Sequence, residues 1–83
     1  MGTIEDRIRQ VIVRTLSLPV EPDQIRDDGR LYGPGGMLNS LNMVMILVGL
    51  EEEFGIEIPD EEFGVERFGT VRAVANYVRS AIS

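Results

Sequence analysis

A chain of 83 residues with 43% apolar and 27% charged side chains has room for one small globular domain, with a core of about three or four helices and no deep enclosed cleft. Its net charge of −6 sets it against nucleic-acid phosphates and suits either basic partner surfaces or simple solubility. The absence of cysteine, histidine and lysine excludes disulfides, thiolate metal sites, a near-neutral general base and an amine nucleophile, leaving only carboxylates and hydroxyls for any chemistry of the chain's own.

Thr3 to Leu16 reads as an amphipathic helix with Ile4, Ile8, Val11, Ile12 and Leu16 on one face. Thr3 is placed to cap it, Asp6 to complete a capping box, and Pro19 to stop it. From Pro19 to Asn39 prolines and glycines interrupt every periodicity, so the stretch reads as a long loop. Loops of that length need anchoring, and Ile25, Leu31, Tyr32 and Leu38 are the residues able to dip into the core. The start of the chain, with its early acidic residues, reads as no secretory signal, and Asp6 stands where a myristoylation signal needs a small hydroxyl.

A second helix is expected from Ser40 to Phe54, ended by Gly55 in a left-handed cap. At about 100° per residue, Met43, Ile46, Leu47, Leu50 and Phe54 share one face and Leu41, Val44, Met45 and Val48 the opposite one. A chain this short has one core to bury them in, so one apolar face is surplus. The longest apolar run, Met43 to Val48, is far below the roughly 18 residues of a membrane span. Beyond Gly55, Ile56 and Ile58 alternate with Glu57 in an extended piece held by Pro59. Asp60 is placed to cap one short turn through Phe63. Thr70 then caps a last helix with Val71, Val74, Ala75, Val78 and Ile82 inward and Arg72, Asn76 and Arg79 outward. The fold class is all-α: three main helices plus one short one, with a long loop between the first two.

The run Gly33-Pro34-Gly35-Gly36 before a helix invites comparison with a phosphate-binding loop, but the Lys-Ser/Thr pair is missing and no strand precedes it. Its better reading is a sharp turn into the helix. Asp23, Asp27 and Asp28 fail as a calcium loop, because Ile25 holds the third position and the twelfth is not a glutamate. The Glu51-Glu52-Glu53 and Asp60-Glu61-Glu62 clusters read as solvated faces. Ser40 is by itself a good helix cap, as is Asn39 before it. What sets Ser40 apart is its context of a glycine approach, a helix N-terminus that favours phosphate, and a surplus apolar stripe running down from it.

The stretch LNSLNMVMILVGLEEEFGIEIPDEE resembles the acyl carrier protein family, with its Asp-Ser-Leu attachment motif and its Ile-Pro-Asp-Glu-Glu sequel. The likeness extends weakly into both flanking helices, so residues 1–83 read as a single phosphopantetheine-binding carrier domain. The resemblance implies an acyl-carrier-like bundle that is not an enzyme. It implies that Ser40 receives 4′-phosphopantetheine from coenzyme A through a phosphopantetheinyl transferase, with Asn39 as motif neighbour and cap. The arm's thiol would carry acyl or aminoacyl groups as thioesters. Leu41, Asn42, Val44, Met45 and Val48, ending at Glu51 and Glu52, would meet loading and biosynthetic enzymes such as ligases, synthases or dehydrogenases. A cytoplasmic monomer without a metal is expected, serving specialised lipid, polyketide or peptide biosynthesis.

Two departures from the family pattern stand out. Asn39 replaces the usual aspartate, keeping the cap and dropping the charge, which leaves open a second reading: an unmodified carrier-fold interaction module. Asn42 and Met45 stand where carboxylates are common in fatty-acid members, so partners are expected to grip more by apolar contact than by salt bridges.

Overall fold

Thr3 opens the first helix, as its position before an apolar-periodic run predicts. The computed structural model describes residues 2–82, and in it Thr3 Oγ1 accepts the Asp6 amide at 3.0 Å at the head of α1 (Ile4–Leu16). The Asp6 carboxylate does not turn back to complete a box. It receives Arg9 Nη1 at 2.7 Å, because a cation one turn on outcompetes a neutral amide for a charged acceptor. Nor does Pro19 end the helix. Ser17 does so two residues earlier by taking a left-handed conformation (φ 52°, ψ 46°), while the Leu18 amide returns to the Val13 carbonyl at 3.1 Å.

The loop that follows is anchored where the sequence places its apolar residues: Ile25, Leu31 and Leu38 are buried and Tyr32 packs against the core. It contains one 3-10 turn, Pro22–Gln24. Polar contacts fasten it as firmly. Arg9 donates Nε to the Ile25 carbonyl at 2.7 Å and pairs with Asp27, whose own carbonyl accepts the Arg72 amide at 2.9 Å. The Leu31 amide reaches the Gly69 carbonyl at 2.6 Å beside a lone antiparallel bridge between Arg30 and Thr70.

The second helix, α2 (Ser40–Phe54), ends at Gly55 in the left-handed region (φ 66°, ψ 36°). Met43, Ile46 and Leu50 are buried, with Leu47 and Phe54 packed at the core's edge, whereas Leu41, Val44, Met45 and Val48 are exposed. The two-faced reading of this helix therefore holds. Ile58 is buried, and its amide donates to Glu51 Oε2 at 2.7 Å, closing the chain back on the helix it has just left.

The segment after Pro59 departs from expectation. Pro59 itself holds the cap position of the 3-10 turn Asp60–Glu62, so Asp60 lies inside the turn. The short α-helix is a separate element, α3 (Val65–Phe68), which delivers the fully buried Phe68 to the core. The last helix, α4 (Val71–Ile82), starts as predicted, with Thr70 Oγ1 accepting the Ala73 amide at 3.1 Å. Val71, Val74, Ala75 and Val78 are buried. Ile82, expected inward, is 48% exposed because it lies a turn beyond the last core layer.

α1 packs against both α2 and α4, and α3 packs on α4. Arg79, near the end of α4, donates Nη2 to Glu5 Oε2 at 2.6 Å, a bond that holds the Glu5 carboxyl below its ordinary range. The buried residues form one cluster, extended on one side by a run of ring contacts. Tyr32 to Phe63, Phe63 to Phe68 and Phe68 to Tyr77 have centroid separations of 5.0, 6.0 and 5.2 Å.

Two stability measurements check this packing. A Cβ at Gly69 would meet the Val65 carbonyl and Arg30 Nη1 well inside contact distance. Gly69→Ala is therefore expected to cost about 1–3 kcal/mol in urea unfolding, as overpacked sites do. On α2, Met43→Ala is expected to cost about 2–5 kcal/mol, while Val44→Ser and Met45→Gln stay within about 0.5 kcal/mol of wild type. Similar losses from both faces would refute the assignment of an inner and an outer side.

Candidate functional site

The glycine run predicted to turn the chain into α2 does so by doubling it back on itself. Gly33 takes φ +105°, the Gly36 amide closes onto the Gly33 carbonyl at 2.9 Å, and the amides of Met37 and Leu38 return to the carbonyls of Arg30 and Leu31 at 3.4 and 2.9 Å. The approach at Gly36 is close enough that a Cβ would sit 2.6 Å from the Leu31 carbonyl oxygen. By this fold-back Tyr32 is brought beside Ser40, eight residues away, with its hydroxyl 3.1 Å from Ser40 Oγ.

Asn39 caps α2 through a complete capping box. Its Oδ1 accepts the Asn42 amide at 2.8 Å and Asn42 Oδ1 accepts the Asn39 amide at 3.4 Å. Asn42, read from the sequence as part of the partner face, thus spends its side chain on the cap. Of the four first-turn donors of a helix, the box uses two. Those of Ser40 and Leu41 point out of the helix end beside an exposed Ser40 hydroxyl. The first turn of α2 carries no acidic residue, and asparagine in place of aspartate leaves the positive end of the helix dipole unneutralised. An anion esterified to Ser40 Oγ would meet two amides, the dipole and the Tyr32 hydroxyl.

Below Ser40 runs a strip formed by Leu41, Val44, Met45 and Val48, exposed by 69, 50, 43 and 49% respectively, with Glu52 exposed at its lower end. Glu51 is not part of this strip, since its carboxylate turns in to the Ile58 amide. The structure therefore gathers Ser40, the four apolar residues and Glu52 on one side of α2, sets Asn39 and Asn42 to work at its start, and gives Glu51 to the fold.

Sequence reasoning assigned Tyr32 only to the core and missed its contact with Ser40. The available signal was the Gly-Pro-Gly-Gly turn between them, which demands a reversal and so sets the residues on either side of it next to each other. Phe63 behind Tyr32 was missed for a simpler reason: a lone aromatic in an acidic turn shows no periodicity. Among the described residues no cluster of histidine, cysteine or carboxylate side chains is arranged to hold a metal, and no helix is long and apolar enough to cross a membrane.

Comparison with known proteins bears directly on this arrangement. The family model for the phosphopantetheine attachment site matches residues 6–78. The acyl carrier protein of Zymomonas mobilis is 35% identical over 78 residues, covering 94% of each chain. Among solved structures, the carrier protein from Agrobacterium tumefaciens is similar at a TM-score of 0.78 and 29% identity, over 94% of this chain and 99% of that one. It was solved in complex with an engineered Bradyrhizobium japonicum glycine:[carrier protein] ligase and ATP. A second such complex, with AMP, gives a TM-score of 0.74 at 32% identity, over 92% and 99%. The holo acyl carrier protein of Nitrosomonas europaea shares the fold at a TM-score of 0.79 and 23% identity, over 95% of each chain. A helical bundle of this topology, matched over most of its length by both family and relatives, belongs to the acyl carrier proteins, which are not enzymes but carriers that tether their cargo on a covalently attached 4′-phosphopantetheine.

Proposed function

We propose that Ser40 is the residue that receives the phosphopantetheine arm, and that residues 1–83 act as one cytoplasmic carrier domain for acyl or aminoacyl intermediates of specialised lipid, polyketide or peptide biosynthesis. The observation that carries this reading is the exposed Ser40 hydroxyl at the first residue of α2, beside two amides that the capping box leaves over. A phosphopantetheinyl transferase is the required partner. In the transfer, Ser40 Oγ bonds to the pantetheine-side phosphorus of coenzyme A, the diphosphate linkage breaks, the adenosine bisphosphate half leaves, and the hydroxyl proton passes to a base of the transferase. When bound, the group supplies a terminal thiol that holds the cargo as a thioester. The chain itself contributes position, because Asn39 caps and orients the helix without needing the charge of an aspartate.

The strip of Leu41, Val44, Met45 and Val48 is the docking face in this reading. Fully burying one such side chain is worth roughly 1.5–3 kcal/mol, so the free carrier leaves a gain that docking would realise. An aminoacyl-loading ligase is the partner class best supported, since the similar Agrobacterium tumefaciens carrier was solved with a glycine:[carrier protein] ligase.

Loading is tested directly by incubating the protein with coenzyme A and a broad-specificity phosphopantetheinyl transferase, then measuring intact mass and titrating thiols. The chain has no cysteine, so any thiol left after removal of coenzyme A belongs to the arm. Wild type is expected to gain one arm and one thiol, and Ser40→Ala neither. Equal gain in both removes the Ser40 assignment, and no gain with several transferases favours the unmodified interaction module. Because the docking strip is mainly apolar, affinity for a loading enzyme is expected to fall only roughly threefold or less between about 0.05 and 0.3 M salt. A steep fall would show that charge, not apolar contact, dominates the grip.

A further inference from the structure

Tyr32 holds the one side chain that touches Ser40 among the described hydrogen bonds, and it is itself held. Its ring packs on Phe63 with centroids 5.0 Å apart, and its amide reaches the Gly69 carbonyl at 3.4 Å. Gly33 behind it is fixed at φ +105°, with the Val65 side chain in the space that a Cβ would take. A hydroxyl on a tip braced from the ring, the backbone and the following residue has a defined place, and that place is 3.1 Å from Ser40 Oγ.

Esterification changes what this hydroxyl faces. A free serine hydroxyl both donates and accepts, so its bond to a phenol is one of two neutral groups at the surface. An esterified Oγ has lost its proton and bears a phosphodiester with anionic oxygens, for which a phenolic O–H is a charge-assisted donor. The Ser40 and Leu41 amides, which the capping box leaves over, belong to the same first turn of the helix. We propose that Tyr32 is an arm-binding residue, its hydroxyl donating to the phosphodiester on Ser40 and tying the root of the arm, through the Phe63 ring, to the segment between α2 and α4. This rests on the assignment of Ser40 as the attachment site.

The two claims separate in one experiment. Apo and loaded forms of wild type and Tyr32→Phe, which keeps the ring on Phe63 and deletes only the hydroxyl, are unfolded in urea as a thermodynamic cycle, with Ser40→Ala carried through loading alongside. Loading is expected to shift the folding constant of wild type roughly three- to tenfold more favourably than that of Tyr32→Phe, and the phosphorus resonance of the arm is expected to differ between the two loaded proteins. If Ser40→Ala gains the same mass, the attachment assignment falls and the Tyr32 proposal with it. If only the proteins that retain Ser40 load and the cycle closes without coupling, the Tyr32 proposal alone is overturned. A second measurement needs no variant. The chain has two tyrosines, and on loading wild type the Tyr32 Cζ resonance is expected to move while that of Tyr77 stays; an unmoved Tyr32 resonance also overturns the proposal.

Discussion

The carbonyl of Gly69 is the point on which the rest of the site hangs. It accepts the Leu31 amide at 2.6 Å and the Tyr32 amide at 3.4 Å, and so pins the loop between α1 and α2 to the junction of α3 and α4. Without a fixed Leu31 the fold-back over Gly33 to Gly36 has no fixed register, because the Leu38 amide closes onto the Leu31 carbonyl. With it, Leu31 and Leu38 are buried side by side in the chain's core, and Asn39 arrives in the extended conformation (φ −92°, ψ 178°) that an N-cap requires. The position of Ser40 is thus set by a contact made some thirty residues further along the chain. Gly69 has no side chain because the Val65 carbonyl and Arg30 occupy the space one would take.

α2 carries two apolar faces and buries only one of them. Its buried residues number only three, Met43, Ile46 and Leu50, yet each lies fully inside the core. The opposite strip is apolar too, so the helix has little directional preference of its own, and its rotation must be set from its ends. The N-terminal end is held by buried Leu38, whose amide is bonded to the Leu31 carbonyl at 2.9 Å. The C-terminal end is fixed by Glu51 to the Ile58 amide, and by Glu53, which accepts Arg7 Nε at 2.9 Å while the Arg7 guanidinium lies 4.4 Å from the Phe54 ring centroid. Polar clasps at both ends decide which of two apolar faces goes inside, and the other stays exposed.

What the sequence made legible follows from range. Helices specified by period and local caps were read to within a residue: α1 from Thr3, α2 from Asn39 to Gly55, α4 from Thr70. Both faces of α2 came from angular spacing alone. What was lost depended on competition or on distance. Asp6 went to Arg9 and not back to the helix start, Ser17 ended α1 before Pro19 had the chance, and Glu51 turned inward to an amide seven residues on. α3 has four residues, too few to show a period, so Phe68 gave no sign of being a core residue. The Tyr32–Ser40 contact is the same kind of loss, since it exists only because a distant carbonyl holds the loop.

The composition completes the physical logic of a carrier. A thioester is attacked by thiolates and by unprotonated amines, and the chain has no cysteine and no lysine side chain with which to intercept its own cargo. It has no histidine to activate water beside the arm. All eight of its basic residues are arginine, whose guanidinium stays protonated and is not a nucleophile at neutral pH. Those arginines still supply the clasps that order the fold, with Arg9 fastening the loop, Arg7 the end of α2 and Arg79 joining the end of α4 to the start of α1. Ion pairing and inertness are thus obtained from the same residue choice, which lysine would have given only in part.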